Sequence, residues 1–138
     1  MKAYLNNKLL ELKNRYNAES FLKTFCTTDL KRQWEKDYKE VKNLWATIVN
    51  MDDVQKYIDA YDVVVNRYLK TNSGIDTYYV NLILFKATYA IDKMVNCYDN
   101  NKCDFHFSNT TDIDSWFEKL YKLIDIMNNE INRRAMAD

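Results

Sequence analysis

Hydrophobic side chains recur along this chain at intervals of three and four residues, the spacing that keeps them on one side of an α-helix. The first such stretch covers about residues 3–16, with Leu5, Leu9, Leu12 and Tyr16 in one stripe. Asn17 or Ser20 then suits the cap of a short second piece carrying Phe21, Leu22 and Phe25, either separate from the first or a bent continuation of it. Thr27, Thr28 and Asp29 offer oxygens to the unpaired amides of a further helix, predicted to reach about residue 49. Its apolar face is Leu30, Trp34, Val41, Leu44, Trp45 and Ile48, with Tyr38 alongside. On its other side, Glu35 and Lys39 stand four apart in the order that favours an ion pair.

The next helix starts at Asn50 or Asp52, with Asp53 and Gln55 as capping-box partners, and its stripe is Val54, Ile58, Tyr61, Val65 and Tyr68. It stops at Thr71-Asn72-Ser73-Gly74, where the chain supplies a residue suited to left-handed backbone. Asp76 caps a segment over about 77–98 that is apolar around most of its circumference, as a helix packed on several sides must be. A polar connection over 99–109 surrounds Phe105-His106-Phe107. The last helix is capped at Thr110 or Thr111 and carries Ile113, Trp116, Phe117, Leu120, Ile124, Met127 and Ile131 to Arg133-Arg134, which suit the negative end of its dipole. The final Ala-Met-Ala-Asp is expected to fray.

Composition strengthens this pattern. In 138 residues there is no proline and one glycine, so helix breakers and glycine-built phosphate loops are both missing. No alternation persists long enough for a strand. The prediction is an all-α fold: a single domain over residues 1–138, a compact bundle of four long helices plus one or two shorter N-terminal ones, with residues 77–98 central. The longest apolar runs are a few residues, and Lys8, Glu11, Lys13 and Arg15 interrupt the N-terminal stretch, so neither a membrane span nor a signal peptide is expected. The expected location is cytoplasmic, in the producing or a host cell.

Formal charge is zero, but residues 1–50 carry +4, residues 51–118 carry −5 and residues 119–138 carry +1. The basic third reads as a solvated helix surface, or as a face toward an acidic partner or nucleic acid. Cys26, Cys97 and Cys103 show no CxxC spacing and His106 is the sole histidine, so the thiols read as buried or incidental and no zinc site is expected. Asp52, Asp53, Asp59 and Asp62 gather carboxylates that bind metal in some helical proteins, but no Glu-x-x-His partner accompanies them, and a solvated acidic face is expected. His106 lacks a nucleophile beside it in sequence and reads as a bystander between two phenylalanines that plug the bundle end. No GxSxG, HExxH or P-loop occurs. No catalytic residue and no cofactor is assigned.

Aromatic content is the remaining signal: 14%, with eleven tyrosines and three tryptophans. The tryptophans are expected to fill the core. Tyr57, Tyr61, Tyr68, Tyr78, Tyr79 and Tyr89 are too many for one interior, which predicts a tyrosine-edged contact surface. The candidate partner-binding residues are therefore Tyr57, Tyr61, Tyr68, Tyr78 and Tyr89, with Lys31, Arg32, Lys36 and Lys39 from the basic third. The function expected is a non-enzymatic protein-binding module, an inhibitor or adaptor, with homodimerisation open. The alternative is a nucleic-acid module using the basic N-terminal residues, against which the interspersed Glu35, Asp37 and Glu40 count.

The richness in Asn, Lys, Asp, Ile and Tyr, typical of an AT-rich genome, resembles small helical proteins that phages and large DNA viruses direct against host defence. In size, helix content and the apolar stretch at 81–95 the chain is similar to the poxvirus Bcl-2-like proteins. That resemblance implies a helical fold and a protein partner. It transfers no groove residue, because the Asn-Trp-Gly-Arg run is absent.

Overall fold

A computed structural model describes residues 2–25, 28–48, 51–70, 76–99 and 113–137. These residues form six helices and no strand: α1 (Lys2–Arg15), α2 (Ala18–Phe25), α3 (Thr28–Thr47), α4 (Met51–Leu69), α5 (Thr77–Asp99) and α6 (Ile113–Ala137). The all-α bundle follows from the three–four spacing of apolar residues, because each stripe hides from water only against another helix.

The first two pieces are separate helices. The Tyr16 amide closes α1 by donating to the Leu12 carbonyl at 2.8 Å, and the Phe21 amide opens α2 by donating to the Asn17 carbonyl at 3.2 Å. Asn17 is the cap: its Oδ1 accepts from the Ser20 amide at 3.0 Å. Asp76 plays the same part for α5, accepting from the Tyr79 amide at 3.1 Å. At the other end of the chain, α6 keeps helical backbone to Ala137, past the point where fraying was expected. Arg133 lies one residue before its last turn and forks onto Glu130 at 2.7 Å, while the Arg134 side chain lies outside the described residues. The turn expected at 71–74, the caps at Thr27, Thr110 and Thr111, Cys26, Cys103 and Phe105-His106-Phe107 lie outside the described residues.

Helix α5 is the axis of the bundle, and each of the other five helices packs against it. Val80, Asn81, Leu82, Ile83 and Leu84 are buried in succession, so no side of this turn faces water. Ala87 and Ala90, also buried, carry only a methyl group and let neighbouring helices approach closely. One core joins Leu5, Leu9 and Leu12 of α1, Phe21 and Leu22 of α2, and Trp45 of α3 to the stripes of α4, α5 and α6. All three tryptophans, Trp34, Trp45 and Trp116, are buried. No helix among the described residues is long and apolar enough to cross a membrane.

Candidate functional site

The five candidate tyrosines do not share one surface. Tyr61 belongs to the core: it is 7% exposed, on the stripe with Ile58 and Val65, and its ring lies 6.5 Å from Trp45. Burial, with a smaller contribution from Tyr57, drives its hydroxyl pKa far up; the nearby Trp45 indole opposes this without closing a hydrogen bond. Tyr57 is half-buried, edge-on to the same indole at 5.3 Å, so this pair cements α4 to α3. Tyr68 is half-buried against Tyr79, which is 39% exposed, and these two mark the α4–α5 end of the bundle. Tyr78 and Tyr89 belong to a third place, an aromatic cluster between α3 and α5.

Trp34 is the hub of that cluster, with ring centres of Phe85 at 5.1 Å, Tyr78 at 6.2 Å and Tyr38 at 6.4 Å. Tyr38 stacks on Phe85 at 5.3 Å, and Tyr89 meets Phe85 edge-on at 5.0 Å. The Tyr78 hydroxyl donates to Asp37, pinning the start of α5 to α3. Such ring pairs are worth about 0.5–1.5 kcal/mol each beyond the area they bury.

The rings do not fill the space between the helices. A hollow of about 480 Å³ opens where α3 and the α1–α2 junction flank α5, lined by Tyr16, Trp34, Tyr38, Phe85, Thr88 and Tyr89. Its size falls within the roughly 300–1,000 Å³ of ligand pockets. Lys13 of α1 and Asp92 of α5 bridge its rim at 3.8 Å. A second hollow, of about 540 Å³, shares Trp34 and Tyr38 and is walled by Glu35, Lys39, Lys42 and Asn43 of α3. The two hollows share Trp34 and Tyr38 and so form one groove, with Lys13, Asp92, Glu35, Lys39 and Lys42 among its lining residues.

The α3 edge is the electropositive one. Lys31, Arg32, Lys36 and Lys39 are exposed and form no ion pair with a described residue. The Glu35–Lys39 pair anticipated from their spacing is not closed, although both side chains border the second hollow. The Lys42 ammonium lies 4.9 Å from the centre of the Tyr38 ring, and interaction with Tyr38, then with Tyr89, raises its pKa. Burial raises the Tyr89 hydroxyl in turn, and Tyr38 adds to the shift. The groove thus sets the Tyr89 hydroxyl, whose proton is held more tightly, near the Lys42 ammonium, whose charge is likewise favoured.

Of the groove residues, sequence reasoning named Tyr89 and Lys39 but missed Trp34, Tyr38 and Phe85; Tyr78 packs on Trp34 without lining either hollow. A usable signal was present: Trp34–Tyr38 and Phe85–Tyr89 are two aromatic pairs each one helical turn apart. The acidic cluster resolves differently from expectation. Asp62 is 8% exposed and accepts from Lys119 at 3.1 Å and Asn66 at 3.2 Å, so it ties α4 to α6 and is not a solvated acid. Asp59 accepts from Gln55 at 2.8 Å. No group of three metal-ligating side chains converges among the described residues. Compared with family models, curated proteins and solved structures, the chain matches none.

Proposed function

We propose that this protein is a non-catalytic binding module that acts stoichiometrically, as an inhibitor or adaptor, by seating a segment of a partner protein in the groove between α3 and the α1–α2 junction. The observation that carries this reading is the open aromatic hollow: Trp34, Tyr38, Phe85 and Tyr89 converge there and leave about 480 Å³ uncovered. Rigid rings contribute large contact area at small entropic cost, which makes Trp and Tyr the commonest anchors of protein interfaces. An element that served stability alone would be expected to close over these rings.

The test is selection from a displayed library of random 16-residue peptides. Enriched peptides should lose binding to Tyr38→Ala, and to Thr88→Arg, which fills the hollow from α5, while circular dichroism of both variants stays helical. Enrichment of no peptide sensitive to these two substitutions would sink the reading.

A further inference from the structure

The groove has a polarity, and the polarity selects its occupant. Lys31, Lys39 and Lys42 fall at steps of eight and three on α3, one flank of that helix, on the same side as Tyr38. Lys39 and Lys42 wall the second hollow directly. The carboxylates of α3 divide unevenly around this flank. Asp37 is taken by the Tyr78 hydroxyl and by Gln33 at 3.1 Å, and with Glu40 it sits on the flank turned from the hollow. Only Glu35 interrupts the basic wall. Across the groove, Asp92 is already answered by Lys13. What the groove presents to an incoming chain is therefore aromatic rings beside Lys39 and Lys42, which close no ion pair with a described residue, with Glu35 the one carboxylate set among them.

We infer that the segment recognised is acidic: a peptide carrying Asp or Glu on one side, against Lys39, Lys42 and Lys31, and large apolar side chains on the other, against Trp34, Tyr38 and Phe85. This rests on the binding-module reading and adds the chemistry of its partner. Charge complementarity excludes basic segments more strongly than it tightens acidic ones, because like charges set against each other cost several kcal/mol while exposed pairs contribute little. The groove is then a filter as well as a dock. Single-stranded nucleic acid is the rival occupant with the same sign of charge, since bases stack on rings. Against it, the ring faces of Tyr38 and Phe85 are already turned to each other at 23°, which leaves fewer free faces for bases.

Among the peptides whose binding depends on Tyr38 and Thr88, Asp plus Glu should be enriched about threefold over the starting library and Lys plus Arg depleted. The double variant Lys39→Glu/Lys42→Glu should weaken the best of them roughly tenfold and reverse the preference toward basic peptides. Raising salt should weaken the acidic peptides in the native protein and, by screening the introduced repulsion, relieve part of their loss in the double variant. Groove-dependent peptides that are neutral or basic would overturn this inference and leave the binding-module reading standing. No groove-dependent peptide at all would overturn both. Tighter binding of a sixteen-nucleotide oligothymidylate than of the best acidic peptide, at about 0.15 M salt, would overturn it in favour of nucleic acid.

Discussion

At the scale of single residues, the most consequential polar contact is buried where α1, α2 and α5 meet. The Tyr16 hydroxyl reaches the Asn81 side-chain oxygen at 2.7 Å and its backbone carbonyl at 2.8 Å, and the Asn81 amide reaches the Ala18 carbonyl at 3.4 Å. Tyr16→Phe keeps the ring on Phe21, 5.4 Å away, but leaves a fully buried amide oxygen without its donor. The expected cost is about 1–3 kcal/mol in urea unfolding, because the stranded acceptor loses water and gains nothing. The same residue governs alkaline behaviour. Burial holds its phenol pKa well above 10, so above that pH the unfolded chain sheds the proton first and stability falls as pH rises. Tyr121, pushed up to about 12 by burial and then Glu11, steepens the loss. Unfolding curves at pH 8 and at pH 11 should differ less for Tyr16→Phe than for the native chain; an equal difference would remove Tyr16 from the account. None of this was legible beforehand. Tyr16 was placed on the α1 stripe correctly, but a period of three and four residues says that a position faces inward, not which hydroxyl meets which amide across 65 residues of sequence.

At the scale of elements, the pattern was far more informative. Stripes such as Val54-Ile58-Tyr61-Val65 became buried helix faces, and Asn17 and Asp76 became caps, because capping and periodicity are local effects. What failed was the assignment of outward residues. Asp62 looked like surface acid from its neighbours Asp52, Asp53 and Asp59, yet its turn faces α6 and Lys119, a relation only packing creates. Lys119→Met should destabilise the protein by about 1–3 kcal/mol, since it leaves a carboxylate with only the Asn66 amide. Adding Asp62→Leu should restore part of that loss, giving a coupling of about 0.5–3 kcal/mol in a double-mutant cycle. Strict additivity of the two substitutions would mean that the ion pair fastens nothing. The candidate tyrosines failed for a related reason. Sequence ranks residue types by their taste for interfaces, whereas Tyr57 and Tyr61 are drawn under α3 by Trp45, Tyr78 and Tyr89 join the aromatic cluster around Trp34 and Phe85, and of these only Tyr89 lines the groove.

At the scale of the whole molecule, the helices are unequally held. Helix α5 is gripped from all sides, while α3 makes its broadest contact with α5 and reaches α4 chiefly through Trp45. Amide hydrogen exchange should therefore be slowest in α5 and markedly faster in α3, following the depth of burial of each helix's contacts. Groove peptides should slow exchange in α3 selectively; equal protection of α3 and α5 in the free protein would contradict this hierarchy. The central position of α5 also imposes an order on birth. Four helices leave the ribosome before the rod they are to lean on has been translated, and α1 and α2 find little to rest against until it emerges. At synthesis rates of about 5–20 residues per second, the newborn N-terminal half waits on the order of seconds with its leucines and tryptophans uncovered. Chaperone demand for this chain is thus concentrated before Asp99 is added, and pausing the ribosome upstream of α5 prolongs the interval in which nascent chains aggregate.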